Sequence, residues 1–195
     1  MVSRGSDAPR LRGILERAAR LICQHGYEAT SMQQIADACG LTKAGLYHHI
    51  ATKEALLLAI MHYGMDLFEE QVIAKAEPIA DPLERLRETM RRNVALVTDE
   101  ASKEVTIILH EHQTLTGEAQ RQINARKKRY VDFLEVAFRD AIERGQIRAV
   151  DPTIASFSFL GSVLWTYKWY RPGGRLGPQQ LADGMIDLFF RGLLP

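Results

Sequence analysis

The sequence predicts an all-α protein: a three-helix unit containing a helix-turn-helix, followed by a helical bundle. Three observations carry this. Apolar residues recur at spacings of three and four through most of the chain. Helix punctuation keeps the same rhythm, with Ser, Thr or Asp ahead of the apolar runs and Gly or Pro after them. No alternation of apolar and polar residues argues for a strand, and no internal repeat occurs.

Composition sets the frame. The 195 residues, 46% hydrophobic and 25% charged, are those of an ordinary globular protein. The expected division is a helix-turn-helix domain at 1–52 and a larger domain at 53–195. Net charge is only +1, and the first 55 residues hold seven Lys or Arg against five Asp or Glu. Any affinity for phosphate must therefore come from placement, not bulk charge. The first residues have no apolar run, so no signal peptide is expected, and Arg4 is available to touch a phosphate. No stretch approaches the roughly 20 apolar residues of a membrane span. A cytoplasmic protein with no membrane partner is expected.

The first helix starts near Pro9, where a missing N–H costs nothing. Leu11, Ile14, Leu15, Ala18 and Ile22 form its apolar face, and Gly26 ends it. Thr30 or Ser31 can cap the second helix, with Ile35, Ala36 and Cys39 on one side. Gly40 lies where the chain must leave that helix, and Leu41 plugs the turn. Thr42 can cap a third helix whose Leu46 and Ile50 face the core. Cys23 and Cys39 fall on apolar faces and are expected as buried free thiols, without a disulfide.

That arrangement leaves Thr42, Lys43, Ala44, Gly45, Tyr47, His48 and His49 facing outward. Small residues, one Lys and aromatic or His hydrogen-bonders on an exposed first turn suit a DNA major groove. A packed helical hairpin with a polar face is the alternative reading. Thr52 caps the next helix, placing Lys53 near its N-terminus, where phosphate is favoured.

Residues 53–76 read as one connector helix with Leu56, Leu57, Ile60, Met61, Met65, Leu67 and Phe68 as its apolar side and Gly64 as its only breaker. Further helices are expected from Asp81-Pro82 to about Val97, from Ser102 to about Thr114, and from Gly117 to about Arg144. Two more run from Asp151-Pro152 to about Tyr170 and from Pro178 to near Gly192. Together these make a helical bundle.

Most candidate chemistry fails on spacing. In His110-Glu111-His112, residues two apart on a helix point about 200° from each other, so no metal site is expected. No nucleophile elbow, phosphate loop or paired carboxylate motif occurs, so neither an enzyme nor a cofactor is expected.

Arg121 and Arg126-Lys127-Lys128-Arg129 read as a solvated face or as a cationic mouth for an anionic effector. In the second case Arg126 and Arg129 give way to Tyr130 and Phe133 as an apolar wall. Trp165 and Trp169, four apart, are expected to stack on one helix face, as core or as part of that effector site. Ala155, Ser158, Ser162 and Thr166 form a stripe of small residues. Leu181, Met185, Leu188 and Phe189 form a ridge on the last helix. The stripe and ridge, with Ser158, Ser162, Leu181, Met185, Leu188 and Phe189 as contacts, read as a four-helix dimer interface or as intramolecular core.

The first part of the chain resembles the DNA-binding domain of the TetR family of bacterial transcriptional regulators. The matching residues are Ala18-Ala19-x-Leu21-Ile22, Gly26-Tyr27-x-Ala29-Thr30-Ser31, Ile35-Ala36, Gly40-Leu41-Thr42-Lys43, Leu46-Tyr47-His48-His49 and Lys53-Glu54-x-Leu56. Departures at Ala44, His48 and Ile50 bear on base preference and leave the fold alone. The resemblance implies that Thr30, Ser31, Thr42, Lys43, Ala44, Gly45, Tyr47, His48, His49 and Lys53 meet double-stranded operator DNA. It also implies a homodimer reading a palindrome, with half-sites about 34–36 Å apart.

The run Trp165-x-x-x-Trp169-Tyr170-x-Pro172-x-Gly174-x-Leu176 resembles TetR-type regulators that respond to acyl-CoA thioesters. The expectation is therefore a ligand-responsive repressor released by an acyl-CoA effector. Alternatives are a regulator of a non-CoA hydrophobic effector, an effector-free DNA-binding interaction protein, and an enzyme with a helical-bundle site.

Overall fold

The computed structural model describes residues 7–99, 103–111 and 114–193, and every regular element among them is a helix. Arg4, Ser102 and His112 lie outside the described residues. In chain order the helices are α1 (Asp7–His25), α2 (Met32–Ala38), α3 (Lys43–His49) and α4 (Lys53–Phe68). A π-helical turn, Glu69–Ile73, and α5 (Ala74–Ala76) continue the connector. Then come α6 (Pro82–Thr98), α7 (Lys103–His110), α8 (Gly117–Glu143), α9 (Pro152–Leu164), α10 (Thr166–Trp169) and α11 (Pro178–Arg191). The chain packs as two units, residues 1–65 with 101–123 and residues 66–100 with 124–195, so α4 and α8 each contribute to both.

In the first unit, Ile14, Leu15, Ala18, Ala19 and Ile22 are the buried face of α1. Gly26 ends the helix with φ +85°, in the left-handed region that favours glycine. α7 packs on α1. Gly64, expected only as a breaker, is instead a contact point: a Cβ there would stand 2.6 Å from Ile108 Cδ1 and 3.0 Å from the Glu104 carbonyl oxygen. The cysteine expectation needs correction. Cys23 is exposed and Cys39 half-buried, because α1 buries the strip through Ile22 and turns the next residue outward. The Cys23 sulfur still lies 3.7 Å from the Lys103 carbonyl, and local desolvation pushes the thiol up to about 11. That favours the protonated thiol.

The second unit is built on α6, α8, α9 and α11. Asp81 and Asp151 cap their helices as the sequence implies, accepting from the Glu84 N–H at 2.8 Å and the Ile154 N–H at 2.9 Å. Leu86, Met90 and Val94 of α6 are buried, as are Leu134, Phe138, Phe159, Val163, Ile186 and Phe190, and α6 packs on α9 and α11. Phe138, Phe159 and Phe189 form an aromatic cluster with centroids 5.7–6.4 Å apart. Inside this core Asn93 and Tyr130 satisfy each other: the tyrosine hydroxyl donates to Asn93 Oδ1 at 2.7 Å.

Two helices differ from expectation. The connector is not α-helical throughout, since the Ala74 N–H bonds back five residues to the Glu69 carbonyl. The helix expected to reach Tyr170 is interrupted at Trp165, where the Lys168 N–H bonds back only three residues to the Trp165 carbonyl. That tighter turn changes the phase between the two tryptophans.

Candidate nucleic-acid interface and effector site

The helix-turn-helix is set by side-chain caps. Ser31 Oγ accepts from the Gln34 N–H at 3.2 Å, and Gln34 Oε1 accepts from the Ser31 N–H at 2.8 Å, a reciprocal box at the start of α2. Gly40 makes the turn with φ +66°. Thr42 then caps α3, its Oγ1 accepting from the Gly45 N–H at 3.0 Å. The approach is so close that a Cβ on residue 45 would lie 3.2 Å from that oxygen.

Leu46 and Ile50 are buried and fix the rotation of α3. Ser31, Thr42, Lys43, Ala44, Tyr47 and His48 are exposed, while Gly45 and His49 are half-buried. The surface they form is a hydroxyl pair, one flexible cation, a phenol and an imidazole around a bare first turn. Such a surface can meet phosphates and base edges together.

Two of the expected DNA contacts are engaged elsewhere. Thr30 is 1% exposed and its hydroxyl donates to the Gly26 carbonyl at 2.8 Å, so it braces the loop and presents nothing to DNA. Lys53 is half-buried; its ammonium donates to the Glu28 carbonyl at 3.2 Å and lies 4.2 Å from the centroid of the Tyr27 ring.

In the second unit Arg126, Arg129, Tyr130 and Phe133 follow one another along α8, and the Tyr130 and Phe133 rings stack with centroids 6.5 Å apart. Tyr130 is buried, which pushes its phenol well above the usual range. Arg126 and Arg129 face carboxylates of Asp66 and Glu69. Desolvation lowers Lys127, and Lys128 pairs with Asp132 on its own helix.

The two tryptophans lie at the surface. Trp165 is 62% and Trp169 51% exposed, and the ring that Trp165 meets edge-on is Tyr167, at 6.5 Å. Of the expected interface residues, Ser158 and Ser162 are exposed, Met185 and Phe189 half-buried, and Leu188 81% exposed. Leu181 is buried in its own bundle. The sequence reading missed Ile154 and Phe157, exposed at 68% and 58%. With Trp165, the C-terminal cap of α9, they recur at i, i+3 and i+11, the helical signal that could have found them.

Comparison with known proteins agrees with the geometry. Residues 14–60 match the family described as bacterial regulatory proteins, tetR family, and residues 80–193 match the tetracyclin repressor-like C-terminal domain. The chain belongs to the TetR family.

Among solved members, AibR in complex with isovaleryl coenzyme A and operator DNA is 65% identical, with TM-score 0.89, covering 92% of this chain and 97% of that one. PfmR of Thermus thermophilus, a TetR family transcriptional regulator, is 34% identical with TM-score 0.83, covering 91% and 97%. The transcriptional repressor KstR2 of Mycobacterium tuberculosis is 27% identical over 186 residues, covering 92% of this chain and 90% of its own. The all-α architecture and the DNA-binding class expected from the sequence therefore hold for this TetR-family regulator. Among its described helices none is long and apolar enough to cross a membrane.

Proposed function

We propose that the chain is a ligand-responsive transcriptional repressor that reads a palindromic operator as a homodimer and takes an acyl-CoA thioester as effector. The functional division is a reading domain at 1–52 and an effector and dimer domain at 53–195, acting where the DNA is, in the cytoplasm. The observation that carries the reading is the capped first turn of α3, with Thr42, Lys43, Ala44 and Tyr47 outward over buried Leu46 and Ile50. Ser31, His48 and His49 extend that surface, while Gly45 lets the backbone approach.

Dimerisation is supported by the exposed apolar residues Ile154, Phe157, Trp165, Trp169 and Leu188, a surface that a lone protomer would leave in water. Ser158 and Ser162 on α9 and Met185 on α11 are assigned to the same interface. The exposure of Trp165 and Trp169 favours this face for them over the effector wall. The effector site then rests on Arg126, Arg129, Tyr130 and Phe133. The acyl-CoA class is supported by the likeness to AibR, whose structure contains isovaleryl coenzyme A.

Effector binding alters operator affinity only as far as the ligand prefers one geometry of the dimer. The sequence reading is release from DNA. A second reading, tightening of the repressor on its operator, is favoured by one finding: AibR holds isovaleryl coenzyme A and operator DNA in one complex. A thermal-shift panel of acyl-CoAs and the matching free acids tests the effector class. Stabilisation by short branched acyl-CoAs and none by free acids is expected; stabilisation by neither would remove the class.

A further inference from the structure

The basic run on α8 is not an open cationic mouth. Arg126, whose side chain is 11% exposed, has Nη2 2.7 Å from Asp66 Oδ1 and 2.9 Å from Glu69 Oε2. Its Nε donates to Glu69 Oε1 at 3.1 Å, completing a two-point fork on that carboxylate. Arg129, one turn along, reaches Glu69 Oε1 at 3.5 Å. Two guanidinium groups and two carboxylates thus form a neutral set. Arg121 and Lys128 are matched in turn by Glu118 and Asp132. An anion arriving at Arg126 must take the place of a carboxylate.

The backbone at this point is unusual as well. Glu69 is the first residue of the π-turn, a rare irregularity inside α-helices that is frequent at functional sites. Phe68, Val72 and Ala76 are all buried. In an α-helix each four-residue step would rotate them by about 40° off a common line. The wider turn compensates for that drift. The carboxylate that forks Arg126 therefore sits where the connector helix departs from α-helical register, and that helix begins at Lys53, three residues after the cap of α3.

We propose that Asp66 and Glu69 form a carboxylate latch on the effector site. They hold Arg126 and Arg129 in the free protein, and the phosphates of a coenzyme A thioester take the arginines from them. The inference rests on the acyl-CoA reading. It adds the route by which that effector acts: the anionic head and the connector helix compete for the same guanidinium groups, so occupancy by one is linked to the position of the other. The latch also selects. A free acid brings one carboxylate and can replace one partner, whereas the CoA head brings several phosphate charges and can replace both.

The test is isothermal titration of full-length protein with isovaleryl-CoA and with CoA itself. Wild type is compared with Asp66→Asn, Glu69→Gln and the double variant, with thermal melts run alongside. Removing a competitor should tighten isovaleryl-CoA binding roughly three- to fivefold per carboxylate, with the same gain for CoA because the latch reads the head. If wild type binds and the variants bind equally or more weakly, the latch is overturned and the acyl-CoA reading stands. A gain for isovaleryl-CoA but none for CoA overturns the assignment to the head group. If wild type binds no CoA thioester, the acyl-CoA reading falls and the latch falls with it. Should Glu69→Gln melt early, Asp66→Asn decides alone, since its carboxylate is half exposed and carries no core packing.

Discussion

Thr42→Ala isolates the cap on which the reading helix depends. α3 has seven residues, and its N-terminal cap is the single bond from the Gly45 N–H to Thr42 Oγ1 at 3.0 Å. Losing such a cap costs about 1 kcal/mol. A helix of two turns has little else to hold its first turn against fraying. In the proposed dimer both subunits need that turn ordered, so the loss doubles to about 2 kcal/mol, or roughly 30-fold in operator Kd. Thr42→Ser keeps the acceptor oxygen and should recover most of the affinity. The assay is fluorescence anisotropy on an operator selected with wild-type protein, at fixed salt, with light scattering to verify the dimer. Operator binding by Thr42→Ala within twofold of wild type, or a Ser variant as weak as the Ala variant, would refute the reasoning.

Other perturbations probe separate parts of the molecule. Lys43→Ala should weaken all operators alike and lower the slope of log K against log salt by roughly 1 per subunit, read from anisotropy at several salt concentrations. Gly64→Ala sets a Cβ 2.6 Å from Ile108 Cδ1 and 3.0 Å from the Glu104 carbonyl. The overpacking should outweigh the helix-propensity gain by about 1–2 kcal/mol. A fall of about 3–6 °C in Tm follows; an unchanged or raised melt would mean that the α4–α7 contact is not as close as described. Leu188→Arg, at a residue 81% exposed, should convert the dimer to a folded monomer in light scattering with little change in helical signal. A dimer that persists would place the interface on another face.

Local chemistry explains what the sequence made legible. Ser31, Thr42, Asp81 and Asp151 cap the helices that follow them because each cap is decided within four residues. The outward set of α3 followed from the same short-range logic, with Leu46 and Ile50 fixing the rotation. What stayed hidden depended on residues far along the chain. The acidic partners of Arg126 lie about 60 positions away, so a paired set read as a solvated face or an open cationic mouth. Thr30 was as good a candidate for the cap of α2 as Ser31, but Ser31 took the cap and Thr30 turned inward to Gly26. The tryptophans read as stacked because the spacing of four holds only in an unbroken α-helix, and the turn at Trp165 is tighter. The π-turn left a trace in the four-residue spacing of Phe68, Val72 and Ala76, which a count of apolar residues alone does not register.

The central claim is that one ligand class governs this repressor's hold on DNA. Operator affinity measured by anisotropy with and without saturating isovaleryl-CoA, on wild-type dimer at one salt concentration, addresses it directly. The account predicts a change in Kd of about fivefold or more, weaker for release and tighter for co-repression. An unchanged Kd under conditions where calorimetry shows the thioester bound would contradict it.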